Sequence, residues 1–84
     1  MFDDRLEEDV AVVSAWDKDT RLAIKYNSFN EYLVVHQYKI DNQIIDTVPD
    51  VYKTSDEAMT RFNFLLGNRD NKRVINRLDV LEPK

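Results

Sequence analysis

One stretch of this chain, Thr54 to Gly67, has the period of an amphipathic helix, and most of what precedes it has the composition of strands. That single change of period limits the possible folds more than any other feature. Thr54-Ser55-Asp56-Glu57 fits a capping box, with the Thr54 hydroxyl placed for the Glu57 amide and the Glu57 side chain reaching back. Asp56 and Glu57 stand where the helix dipole favours negative charge. Ala58, Phe62, Leu65 and Leu66, with Met59 alongside, recur at helical spacing and make one apolar stripe. Gly67 then offers the left-handed position that ends many helices. The spacing predicts a helix over about 55–66.

Val10 to Trp16, Arg21 to Tyr26, Glu31 to Ile40 and Gln43 to Val48 are rich in β-branched and aromatic residues and read as strands. Asp41-Asn42 separates the last two, and both residues tolerate positive φ, so a two-residue type I′ turn is expected there. Asp17-Lys18-Asp19-Thr20 and Asn27-Ser28-Phe29-Asn30 have the residues of turns. Pro49 ends the fourth strand because it cannot donate to a ladder. Val74 to Leu81 reads as a returning strand, with Val74, Leu78 and Val80 toward the core. The fold class is therefore α+β: a four- to five-stranded, mainly antiparallel sheet in the order β-β-β-β-α-β, with one helix on one face. Its stripe is expected to close the only core.

Register hinges on the third strand. Tyr32, Val34, His36, Tyr38 and Ile40 share one side, while Leu33, Val35, Gln37 and Lys39 share the other. An odd connector from the second strand would place Leu22, Ile24 and Tyr26 with the aromatic-rich set. An even one would invert the strand. The odd register separates apolar from polar better and is the expectation. Phe2, Leu6 and Val10 are spaced by four, so residues 1–9 read either as a short acidic helix or as a frayed tail.

With 84 residues, one glycine and two prolines, the chain reads as a single domain, 1–84, without linkers or repeats. It contains no cysteine, which excludes disulfides, thiolate metal sites and cysteine nucleophiles. Met-Phe-Asp-Asp-Arg lacks the features of a secretory leader, and no apolar run approaches the roughly 18–20 residues of a membrane span. These features predict a cytoplasmic protein with no membrane association.

No cluster of residues announces chemistry. His36 is the one histidine, and neither it nor Ser14 belongs to a nucleophile–base–acid signature; a structural sheet histidine is the plainer expectation. Asp3-Asp4, Glu7-Glu8-Asp9 and Asp17-x-Asp19 lack the spacing, turn glycine and closing glutamate of a calcium loop. One glycine cannot supply a phosphate-cradling loop. Catalytic residues, metal sites and cofactors are expected to be none, and the chain is expected not to be an enzyme.

Binding features are easier to name. The net charge of −4 is uneven, with acidic residues at 1–19 and the basic residues Arg69, Lys72, Arg73 and Arg77 late in the chain. That basic cluster could contact single-stranded nucleic acid beside Tyr32, Tyr38 or Trp16, although an acidic chain disfavours it. Phe64 falls off the helical stripe by about a quarter turn; it is either the edge of a wide buried stripe or an exposed partner anchor. The leading expectation is a small interaction protein that binds a protein partner, or a second copy as a homodimer, through a strand edge or aromatic patch. In size, acidity and lack of cysteine the chain also resembles the accessory and inhibitor proteins of phages and prophages. That resemblance implies a second possibility, in which Asp3, Asp4, Glu7, Glu8 and Asp9 imitate a nucleic-acid backbone.

Overall fold

The β-branched runs become strands, and the capped segment becomes a helix. In chain order the elements are β1 (Val10–Ser14), β2 (Thr20–Tyr26), β3 (Tyr32–Ile40), β4 (Gln43–Asp46), β5 (Asp50–Tyr52), α1 (Ser55–Leu66) and β6 (Val74–Asn76). The computed structural model describes residues 9–67, 69 and 72–78. All pairings among these strands are antiparallel, in the order β4-β3-β2-β1-β6. β5 is an addition to the expected order. It pairs with Tyr32–Val34 of β3, while β4 pairs with Gln37–Ile40 of the same strand.

Turn chemistry sets the register. Asp41 and Asn42 have φ of 51° and 66°, and Ile40 pairs directly with Gln43, as a two-residue primed turn requires. The connector 27–31 is odd and is built around Asn27, whose Oδ1 accepts from the Phe29 and Glu31 amides at 2.9 and 3.0 Å. Leu22 consequently pairs with His36, Ile24 with Val34 and Tyr26 with Tyr32. The aromatic-rich sets share a face, as the odd register demands.

That face is covered by α1. Ala58, Phe62 and Leu66 are buried against Ala11, Val12, Leu22, Ile24, Tyr32 and Val34, with Met59 and Leu65 packed at the margin. The Thr54 hydroxyl accepts from the Glu57 amide at 3.2 Å, as a cap should. Glu57 closes the motif differently from expectation, by accepting from the Thr54 hydroxyl itself at 3.0 Å.

Three expectations need correction. Gly67 is right-handed, at φ −58° and ψ −19°, because its N–H continues the helical ladder to the Asn63 carbonyl. A β-carbon there would meet only the Phe64 and Asn63 carbonyls at 3.5 and 3.6 Å, an ordinary contact. Gly67→Ala is therefore expected to raise stability by about 0.5–1 kcal/mol, through lost freedom of the unfolded chain, with a higher midpoint in thermal unfolding as the check. The returning strand stops at Asn76, whose Oδ1 accepts from the Leu78 amide at 2.9 Å, and Val74 in it is exposed while Ile75 packs inward; Leu78 meets the helix-side core from beyond the strand rather than from within it. Val80 and Leu81 lie outside the described residues.

Nor does the helix close the only core. A bulge between Val10 and Val12 turns Val10 to the opposite face. There Val10, Val13, Ala23 and Val35 form a second buried cluster, with Ile75 against it. Of the polar residues predicted for this face, Arg21 and Gln37 are buried as well, in a network that runs out through half-buried Lys25 to Asp46 at the edge, while Lys39 stays exposed. Arg21 Nε donates to Gln37 Oε1 at 2.7 Å, Gln37 Nε2 donates to Asp46 Oδ1 at 2.8 Å, and Lys25 Nζ donates to Asp46 Oδ2 at 2.9 Å. The Arg21 guanidinium also lies 4.4 Å from the Trp16 ring centroid, a stacking contact that suits a desolvated arginine.

Candidate protein-interaction edge

β3 outruns the helix. In its first half Tyr32, Val34 and Val35 lie in the two cores, whereas Tyr38 and Ile40 emerge beyond the helix and are exposed. β4 follows them as one of the two end strands of the sheet. Two consecutive isoleucines in an extended strand must face opposite ways. Ile45, opposite Tyr38, stands on the helix side, and Ile44, opposite Lys39, stands on the other. Neither is covered: Ile44 is 40% and Ile45 45% exposed. Val48 and Val51 prolong the apolar strip along the same margin, both exposed.

The backbone at this margin is also open to pairing. Thr47 donates its N–H to the His36 carbonyl at 2.9 Å, and Lys39 donates to the Asp19 carbonyl on the other side of β3 at 2.8 Å. Even-numbered residues of β3 therefore direct their ladder groups toward β4 and β5. By the alternation of an antiparallel ladder, Ile44 and Asp46 of β4, and Val51 of β5, turn their own N–H and C=O outward. Thr47 also patches the ladder across the break at Val48-Pro49, since its hydroxyl accepts from the His36 amide at 3.1 Å.

Electrostatics hold this edge in place. Burial pushes the Asp46 carboxyl upward, but hydrogen bonds from Lys25 and Gln37 outweigh it and keep the group below the ordinary aspartate value. His36 behaves oppositely. Burial, then the charges of Arg69 and Arg61, hold its imidazole below its ordinary value near 6.5, with Asp50 opposing them. The unfolded chain therefore takes up this proton at higher pH than the folded chain does. Stability from neutral His36 is fully present above about pH 6.5 and is lost as pH falls through the folded-state value. Thermal unfolding is expected to show a falling midpoint from pH 7 toward pH 5, and His36→Gln should flatten that limb. An unchanged slope in the variant contradicts the assignment.

The residues singled out from the sequence are scattered. Asp3, Asp4, Glu7 and Glu8 lie outside the described residues. Asp9 is exposed and its carboxylate stands 3.6 Å from Lys25 Nζ, so it is engaged within the domain. Arg69 is spent on structure, donating to the Thr20 carbonyl and hydroxyl at 2.7 and 2.8 Å. Lys72 and Arg73 are exposed ahead of β6, and Arg77 follows it; the Arg73 carbonyl meets Ala15 while the Arg77 amide meets Ala11, at opposite ends of that strand. Ser14 is buried, accepting from the Leu22 amide at 2.9 Å, which is a structural role. Phe64 is 66% exposed, so the wide buried stripe is not formed at that position. The exposed strip Ile40, Ile44, Ile45, Val48 and Val51 was not foreseen. Its signal in the sequence is the Ile44-Ile45 pair, which breaks alternation in a strand too short to be central.

Among the described residues no helix is long and apolar enough to cross a membrane. No protein-family model, curated protein or solved structure matches the chain.

Proposed function

We propose that this chain is a non-enzymatic interaction protein that binds a protein partner along the β4–β5 margin of its sheet. One observation carries the reading: apolar side chains stand exposed on an end strand, β4, whose backbone groups are turned outward. Sheet edges of this kind are normally guarded by lysine, proline, bulges or a covering element. β4, Gln43-Ile44-Ile45-Asp46, contains neither lysine nor proline; its guards are its four-residue length, Asp46 and the following Pro49, which leave Ile44 and Ile45 exposed. Such an edge offers main-chain hydrogen bonds to an added strand and apolar contacts on both faces. The partner's strand would come from another protein, since a second copy would bring the same net charge of −4 to the edge.

Affinity capture from the native cell with the wild-type chain and with an Ile44→Lys, Ile45→Lys double variant tests this. Both side chains lie outside the two cores, so the variant should keep its circular dichroism spectrum, with a small fall in unfolding midpoint because the change at 44 stands opposite Lys39. The expected result is a protein retained by the wild type and lost with the variant, insensitive to nuclease. Equal retention by both chains, or retained material that nuclease removes, overturns the proposal.

A further inference from the structure

The geometry points to a specificity pocket beside this edge: the groove between α1 and β5 takes one large apolar side chain of an extended peptide, flanked by lysine or arginine. This rests on the edge-binding reading above and names the segment that edge would accept. The groove has a volume of about 430 Å³ and is lined by Tyr52, Glu57, Thr60, Arg61 and Phe64. Phe64, off the buried stripe, forms one wall, and its ring lies 5.5 Å from the Arg61 guanidinium. Tyr52 forms the facing wall, since it stands on the helix side of the sheet opposite Tyr32.

A strand laid against β5 would meet the outward N–H and C=O of Val51, which sits between these features. Its side chains would alternate. Those on the helix side would enter the groove against Tyr52 and Phe64, and those on the other side would lie along Val51. Strand addition next to a flanking helix uses this division of labour: the ladder gives affinity and the pocket gives specificity. A groove of this volume has room for one phenyl or leucyl side chain.

Charge selects the neighbours. Glu57 lines the groove, and Asp50 and Asp56 are exposed beside it; Thr60, another lining residue, is held to the Asp56 carbonyl at 2.8 Å. Among the lining residues the cation is Arg61, already 3.4 Å from Asp50, and nearby Lys53 is held 2.9 Å from Glu31. The rim is therefore net acidic, in a chain of net charge −4. Residues two positions either side of the inserted side chain would face that rim, so lysine or arginine is favoured there and glutamate is opposed.

The test is an amide NMR titration, to millimolar peptide, with blocked pentapeptides of sequence Lys-Val-Phe-Val-Lys, Lys-Val-Ala-Val-Lys and Glu-Val-Phe-Val-Glu. The first should shift Val51, Tyr52, Thr60 and Phe64, and should bind at least about tenfold more tightly than either of the others, as burial of one large apolar group allows. Phe64→Ala should remove the preference for phenylalanine while leaving the fold intact. No shift at these residues, or equal binding of the three peptides, overturns the groove assignment. Shifts confined to Ile44, Ile45 and Asp46 overturn it too, but leave the edge reading standing. That reading falls separately, if the Ile44→Lys, Ile45→Lys variant keeps the captured partner.

Discussion

Phe62→Ala is expected to cost about 3–5 kcal/mol, because it removes a wholly buried ring whose surroundings can only partly collapse. Among the described residues Phe62 is the largest fully buried side chain, and it sits where α1 meets Leu22, Ile24 and Val34 of the sheet. A domain of this length has about 4–13 kcal/mol of stability in total, so the loss is a large part of it. At about 4–8 °C per kcal/mol, the thermal midpoint should fall by more than about 10 °C. Phe64→Ala, two residues on, should stay within about 0.5 kcal/mol, because its ring is mostly in solvent. Thermal unfolding of the pair by circular dichroism distinguishes the two helix faces in one comparison. Equal losses would mean that the helix is rotated from the position described.

Gln37→Leu should be nearly as damaging for a different reason. The amide group of Gln37 links buried Arg21 on β2 to Asp46 on β4, and leucine can neither accept from Arg21 Nε nor donate to Asp46. Breaking a buried charged network on one side costs about 2–4 kcal/mol, mainly through the charge left behind. Adding Arg21→Met removes that charge while keeping an unbranched side chain against Trp16. The double variant should therefore be more stable than Gln37→Leu alone, with a coupling energy of at least about 1 kcal/mol in a double-mutant cycle. Additive losses would show that Arg21 and Gln37 do not share one network.

What was legible in the sequence followed from local rules that nothing tertiary overrode. The Thr54 cap, the stripe through Phe62 and Leu66, the Asp41-Asn42 turn and the odd connector after Tyr26 each depend on residues close in the chain. β5 was hidden because Val48-Pro49 reads as a stop. The ladder resumes past it because Thr47 lends its hydroxyl to the His36 amide, a contact between strands that no local pattern announces. The second buried face was hidden because Arg21, Lys25, Gln37 and Asp46 look solvent-facing until three strands bring them together. Gly67 was misjudged because the Asn63 carbonyl was free to continue the helical turn, so the left-handed option was not needed.

The candidate site was less legible than the fold. Exposure at Ile44 and Ile45 depends on how far β3 and β4 project beyond α1, which is a property of relative element lengths rather than of any motif. Phe64 could be singled out by its angle on the helix, but its role as a groove wall needed Tyr52, which stands on a strand that the sequence did not disclose. Arg69 could not be told from Lys72 by composition, yet it is tied to Thr20 while Lys72 is exposed.

Isoleucine methyl groups provide the most direct test of the edge, because they divide cleanly by position. Ile40, Ile44 and Ile45 stand exposed along it, whereas Ile24 is fully buried and Ile75 packs on the second cluster. With δ1-methyl-labelled chain and the partner recovered by capture, the spectra should show Ile40, Ile44 and Ile45 shifting on complex formation, with Ile24 and Ile75 unmoved. Shifts at Ile75 with the three edge methyls unchanged would place the partner on β6 and contradict the account.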